Sequence, residues 1–458
     1  MTSSILGSGL VFLDSTAVNI ALPTVGHDLD TGLAGFQWIV NGYLLALSAF
    51  ILLGGSLGDR FGRRRIFNIG TALFGFASLL CGIAPSTAML IAARSLQGVG
   101  GALLVPTSLA MLHAAFHPSD RGEAVGSWSG FSGLATIVGP LLGGWLIDHV
   151  SWRAVFLINP ALSAVAIWMG SRYVPETHGD QASKRLDFPG TTAVAVALAG
   201  IVYAAIEGPR SGWTSPPILA ATGVGLVALV AFFLIERHSP HPMLPLHLFR
   251  SQTFRGANAT SATVYFVLGG VFFLLAIHLQ EVVGYNALEA GAVTVPVTLL
   301  LFLLSPLAGR LAGRIGPRLP TAVGLFITAV GTGLLSGIDA DAQFVSDILP
   351  GLLIFGIGLG LTVAPLTTAA LSSLDESRVG LASGVNNAVT RAAQLLAIAL
   401  LPFAAGLSRS DATPASVSTE GFFQAMWIAA VMLLVGSGTA WWTLPTEPPG
   451  GETFEETR

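Results

Sequence analysis

Fourteen apolar runs follow one another along this chain, each close to the 20 or so residues that cross a bilayer. They fall at about 5–23, 36–57, 66–84, 87–111, 122–147, 153–173, 188–206, 215–236, 255–279, 288–309, 319–338, 346–371, 379–405 and 421–443. In lipid no water satisfies a backbone N–H or C=O, so runs of this length must be helices. Charged residues make up 10% of the chain, against about 25% in a soluble domain, and the mean hydropathy is +0.73. The fold class is therefore all-α and integral to the membrane, with about 14 transmembrane helices. The net charge of −4 gives nucleic acid no footprint to bind. The single cysteine, Cys81, lies inside an apolar run and excludes an intrachain disulfide or a cysteine metal site. Residues 5–23 lack a basic leader and a convincing cleavage site, so they read as a first span that is retained.

The hydrophilic turns orient the chain. The densest is Gly55-Ser56-Leu57-Gly58-Asp59-Arg60-Phe61-Gly62-Arg63-Arg64-Arg65, with four of only 21 Lys+Arg. Such cationic turns stay in the cytoplasm. Placing the N-terminus inside puts Arg60, Arg63, Arg64, Arg65, Arg121, Lys184, Arg185, Arg237, Arg250, Arg310, Arg314, Arg318 and Arg378 in cytoplasmic loops. Only Arg153, Arg210 and Arg409 then fall outside. Both termini are expected in the cytoplasm of a multi-pass cell-membrane protein, and the acidic, proline-bearing tail is expected to be disordered.

Gly309-Arg310-Leu311-Ala312-Gly313-Arg314-Ile315-Gly316-Pro317-Arg318 repeats the first turn, 254 residues further on. Two six-span units with two spans inserted between them fit that shift. The expected division is a six-helix bundle over 1–173, an inserted two-helix segment over 174–254, a second bundle over 255–443, and a tail over 444–458. Repeated halves are a common transporter design, with the cargo site near mid-membrane between them.

Two of the ionisable residues within apolar runs are the most informative. Asp14 lies near the middle of the first, where a charge is costly and usually faces a cavity or a partner. Burial favours its neutral form and a nearby cation favours the carboxylate. A packing acid bonded to a neighbour is the plainer alternative. Ser8, Ser15 and Asn19 form a polar stripe beside it. Arg94 shares one helix face with Gln97, Gly98 and Gly101. It either looks into a cavity or snorkels to the outer surface. Further along, Gly126, Gly130, Gly133, Gly139, Pro140, Gly143 and Gly144 make a small-residue surface with a kink, suited to close helix contact.

The turn at Gly55, Leu57, Asp59, Arg60, Gly62, Arg63 and Arg64 resembles the loop signature of the major facilitator superfamily. Within it, four other stretches resemble the fourteen-span drug:proton antiporter family. These are Leu13-Asp14-Ser15-Thr16-Ala17-Val18-Asn19-Ile20-Ala21-Leu22-Pro23, Arg94-Ser95-Leu96-Gln97-Gly98-Val99-Gly100-Gly101, the glycines and proline at Gly133, Gly139, Pro140, Gly143 and Gly144, and Trp152-Arg153-Ala154-Val155-Phe156-Leu157-Ile158-Asn159-Pro160. The resemblance implies proton coupling at Asp14 and Arg94, a seam against leakage at the glycine motif, and gating by the 55–65 loop. Asp59 is expected to latch onto the start of the thirteenth span, near Val379 and Gly380, in the outward-facing state. Arg63, Asp120 and Arg121 are expected to take part.

Asn19, Asn41, Gln97, Asn387, Arg391 and Gln394 are the expected polar lining of a substrate cavity, the last three sharing one helix face. Trp38, Tyr43, Trp128, Tyr265 and Phe266 supply aromatic surface for cavity or packing. No acid is expected deep in the ninth to fourteenth spans; Glu281 sits near an outer end, and Glu207 is the other outer acid. That argues mildly against multivalent cationic cargo. His113, His117, His238, His241 and His247 are expected in cytoplasmic loops, without metal-ligand spacing. No phosphate-binding loop or nucleophile constellation is present, so no cofactor, ATP drive or enzymatic activity is expected. The expected function is proton-coupled export of amphipathic small molecules by alternating access, by a monomer in the bilayer with protons as the other partner. Export of an endogenous metabolite or lipid-like molecule is a second reading. A non-transporting receptor or polytopic enzyme is a third, from another class. Asp14→Asn is expected to remove coupling and leave folding intact.

Overall fold

The structure is a computed structural model that describes residues 1–117, 120–179, 186–240, 242–373, 379–407 and 419–447. Lys184, Arg185, His241, Arg378, Arg409 and the tail beyond 447 lie outside the described residues. The chain forms α1 (Thr2–Leu29), α2 (Leu33–Phe61), α3 (Arg63–Gly82), α4 (Thr87–Ala115), α5 (Arg121–His149), α6 (Trp152–Tyr173), α7 (Phe188–Ser211), α8 (Pro216–His238), α9 (Gln252–Glu281), α10 (Ala287–Val293), α11 (Val295–Ile315), α12 (Arg318–Leu335), α13 (Leu349–Ser372), α14 (Val379–Ala404) and α15 (Thr419–Thr443). Among the described residues, fourteen spans are long and apolar enough to cross a membrane, and the protein is a multi-pass membrane protein.

Some helix starts are capped by a side chain. Ser251 accepts from the Phe254 N–H at 3.2 Å, and Asp187 from the Gly190 N–H at 2.8 Å. The tenth span is not the continuous helix its apolar run suggests. It breaks at Thr294 into α10 and α11, where Pro296 has no N–H to continue the ladder. The twelfth span opens with a π-helical turn, Phe344–Ile348. His113 lies in the last turn of α4 rather than in a loop.

The internal repeat is conformational as well as sequential. Gly62 and Gly316 both take positive φ, 105° and 81°, a region that a side chain would strain. Each turn then receives the segment that leaves the last span of its own half. The Arg63 N–H donates to the Thr177 carbonyl at 2.9 Å, and the Arg318 N–H to the Pro445 carbonyl at 3.3 Å.

α2 packs on α4, α3 on α4 and α6, and α1 on α5 and α6. In the second half α12 packs on α13 and α15, α11 on α13, and α9 on α14 and α15. α7 and α8 pair with each other, and α7 also touches α2 and α14. The outer face of α8 keeps Leu226, Val227, Val230 and Leu234 exposed, as a lipid-facing helix requires. α1, α2, α5, α9, α10, α11 and α14 provide contacts across the middle.

Candidate functional site

Asp14 is the thirteenth residue of α1 and is wholly buried, at 0% exposed; Arg94 is 1% exposed. The Arg94 Nη1 donates to Asp14 Oδ2 at 2.5 Å. Asp14 Oδ1 accepts from Gln97 Nε2 at 2.8 Å and from Asn159 Nδ2 at 3.2 Å. Arg94 also donates to Gln97 Oε1 at 2.6 Å and to the Ile39 carbonyl at 3.4 Å. Its guanidinium lies 4.3 Å from the Tyr43 ring centroid, a cation–π contact strengthened by the dry surroundings. Ser78 accepts from Gln97 and Asn159 and donates to the Phe156 carbonyl at 3.0 Å. Five helices thus converge on one carboxylate.

This geometry decides between the open readings of Arg94: it does not snorkel. It also moves Gln97, which holds Asp14 instead of lining a cavity and is 0% exposed. Asn41 is sealed as well, and both of its side-chain polar atoms lack a partner. Sequence reading missed Ser78, Asn159 and the Ile39 carbonyl as members of the cluster. A polar residue inside each apolar run was the available signal for the first two. The polar stripe beside Asp14 dissolves into separate contacts: Ser8 with Ser108 at 2.6 Å, and Ser15 with the Val11 carbonyl at 2.7 Å. Asn19 is half-buried, its Oδ1 without a partner.

Arg391, at the middle of α14, is half-buried and reaches across to α1. Its guanidinium lies 6.0 Å from the Phe12 ring centroid and donates to Gln394 at 3.3 Å. Asn387, one turn away on the same face, is exposed. These three therefore border the space between α14 and α1. Asn386 instead packs on α9, donating to Asn258 and Ser261.

At the turn bearing the arginines, Asp59 is held by Arg63 at 2.8 Å. Its backbone carbonyl accepts from the Gly179 N–H at 3.0 Å. Glu176 accepts from the Arg64 and Arg65 N–H groups at 2.9 and 3.1 Å, and so caps the N-terminus of α3. Arg60 is exposed and lies over Phe61. In this conformation Asp59 is engaged within its own half; the side chains of Arg121, Val379 and Gly380 lie outside the described residues.

The glycine motif divides α5 into two environments. Gly139, Pro140, Gly143 and Gly144 are buried, Gly139 against Thr16 and Gly143 against Ala17 of α1. Gly144 lies so near α10 that a Cβ there would sit 2.6 Å from the Ala287 carbonyl oxygen. Toward the arginine side, Gly126, Gly130 and Gly133 meet open space. α5 and the tenth span therefore touch on the side opposite the arginines and part toward them. Other contacts close the opposite side. Asp148, which sequence reading did not single out, accepts from the Ala287 and Leu288 N–H groups at 3.1 and 2.9 Å. Gln280 donates to the Ile20 carbonyl at 3.0 Å, and His27 lies 3.3 Å from Glu281. Asp148→Ala is expected to shift the population about three-fold toward forms open on that side. Distances between spin labels at Val150 and Val345, both exposed, in a Cys81→Ser background check this; an unchanged distribution contradicts it.

The sequence profile of the Major Facilitator Superfamily matches residues 4–398. The chain is 37% identical over 397 residues to the multidrug resistance protein Stp of Mycobacterium tuberculosis, covering 86% of this chain and 73% of Stp. It is 34% identical over 445 residues to the puromycin resistance protein pur8 of Streptomyces alboniger, covering 94% and 88%. The tetracenomycin C resistance and export protein of Streptomyces glaucescens is 33% identical over 396 residues, covering 86% and 73%. Among solved structures, a bacterial homolog of the human lysosomal transporter Spinster, inward-facing and unoccupied, shares the fold with a TM-score of 0.68 at 16% identity, over 96% of this chain and 95% of that one. On the profile match and these relatives, the chain belongs to the Major Facilitator Superfamily.

Proposed function

We propose that this protein exports amphipathic small molecules in exchange for protons, by alternating access between two six-span halves, residues 1–173 and 255–443. The observation that carries this reading is the sealed Asp14 carboxylate and its Arg94 partner at mid-membrane, in a fold closed on one side and open on the other. The relatives named for multidrug, puromycin and tetracenomycin C resistance support the direction and the kind of cargo. With the arginine turns in the cytoplasm, the conformation described is open inward. The arrangement of Asp14 then has a definite sense. A buried guanidinium at 2.5 Å and two amide donors hold the ionised form, so the inward-open state has already given up its proton. Opening of the outer side admits water, loosens the pair and lets a proton bind. Closing of the outer seam at Gly144 and Asp148 returns the carboxylate to Arg94. Asp59 and Arg63 are released from each other in the outward-open state, where Asp59 caps the N-terminus of α14.

Purified protein in proteoliposomes tests the reading. Tetracenomycin C, named for resistance and export in one relative, is expected to move against its gradient when a pH difference is imposed, with protons moving the other way. Cargo movement indifferent to the pH difference contradicts it.

A further inference from the structure

We propose that Arg391 is a cargo-recognition cation, and that the preferred cargo is an amphipathic molecule with an anionic headgroup, a carboxylate or phosphate ester. This rests on the transport reading above and specifies its substrate class.

The argument begins with charge. Arg94 is neutralised by Asp14, and that pair is closed off at 1% and 0% exposure. Asp14 is thus engaged by Arg94, Gln97 and Asn159 and offers no anion to a cargo in this conformation. Arg391 stands at the same depth, halfway along the 26 residues of α14, and among the described residues it has no acidic partner. Among the described residues its one hydrogen bond is a long one, 3.3 Å, to a neutral amide on its own helix. An uncompensated guanidinium at mid-membrane is expensive, and such groups mark pathways or sites. The space beside it therefore carries a net positive charge.

The surroundings suit a two-part ligand. Phe12 from the opposite half lies over the guanidinium at 6.0 Å. Asn387 is exposed one turn toward the open side, and the Oδ1 of Asn19 is unpartnered. A planar guanidinium with free N–H groups binds carboxylate or phosphate through paired hydrogen bonds. The Phe12 ring then offers a surface to the apolar body. A cationic amphiphile meets repulsion at the same point and finds no carboxylate to offset it.

The test uses three probes on one skeleton, 2-naphthylacetate, its methyl ester and 2-naphthylethylamine, titrated calorimetrically into the full chain in phosphatidylcholine nanodiscs without any gradient. The carboxylate is expected to bind about ten-fold more tightly than the ester or the amine. Arg391→Gln is expected to bring it down to the level of the ester, leaving ester binding unchanged, while Arg391→Lys keeps a preference for the carboxylate. A second set of nanodiscs containing phosphatidylglycerol separates the sources of the anion. Carboxylate affinity that falls in wild type but not in Arg391→Gln assigns the site to a lipid headgroup; unaltered affinity assigns it to a soluble amphiphile. Carboxylate binding no tighter than ester or amine binding, or a preference that survives in Arg391→Gln, overturns the proposal. With no pH difference imposed, such a failure leaves the exchange reading standing. Loss of gradient-driven movement likewise leaves the anion preference standing.

Discussion

Asp14→Asn is expected to abolish cargo export driven by a pH difference and, at the same time, to lower the thermal stability of the protein. The first effect follows from removing the carboxyl proposed to carry the proton, which lies at the middle of α1. The second corrects the expectation from sequence that folding would be left intact. Arg94 is 1% exposed, and without the carboxylate it keeps Gln97, the Ile39 carbonyl and the Tyr43 and Phe156 rings, none of them an anion. Breaking a buried pair by removing one partner costs about 3–5 kcal/mol. The double substitution Asp14→Asn with Arg94→Gln takes away the stranded charge. Its melting temperature is expected to recover toward wild type while coupled export stays absent. That separation distinguishes a proton carrier from a merely structural acid. Export by the double variant that still follows the pH difference would point to a proton site elsewhere, with Glu207 or Glu281 near the outer surface as the next candidates.

Gly144→Leu is expected to hold the protein open on the external side. A Cβ at this position would sit 2.6 Å from the Ala287 carbonyl oxygen and from the Leu288 Cα, both backbone atoms that cannot swing aside. Overpacking of this kind costs about 1–3 kcal/mol, and it is felt only when the outer side is shut. The outward-open population should therefore rise about ten-fold or more, and turnover should stop because the cycle cannot close behind its cargo. The distance between labels at Val150 and Val345 is expected to lengthen. A wild-type distance distribution together with normal export would show that the seam does not lie here.

Much of this was legible in the sequence, and the parts that were not share one cause. Helices announce themselves by local runs, so all fourteen spans were readable. Asp14 and Arg94 were readable as charges where none is expected. The repeat at Gly309 to Arg318 anticipated a second positive-φ glycine turn at Gly316. What failed was register between helices. Asn159 reaches Asp14 from α6, Ser78 holds Gln97 and Asn159 from α3, and the Ile39 carbonyl of α2 accepts from Arg94; no local pattern says which turn of one helix faces which turn of another. The same blindness assigned Gln97 and Asn41 to a cavity, because polarity alone does not tell a lining residue from a sealed one. Asp148, at the end of a span, was not singled out, because only the placement of α10 brings its first N–H groups upon it. The break at Thr294 was signalled by Pro296 but was hidden within an unbroken apolar run.

The central claim is that Asp14 carries its proton in the outward-open state and has lost it in the inward-open state. Infrared difference spectroscopy of the carboxylic-acid carbonyl stretch tests it most directly. Spectra of the wild type and of Gly144→Leu would be recorded at one pH, each with and without Asp14→Asn. The predicted result is a protonated-carboxyl band in Gly144→Leu that disappears when Asp14→Asn is added, and no corresponding band in the wild type, where Arg94 holds the carboxylate. A band from Asp14 of equal strength in both proteins, or its absence from both, would contradict the account.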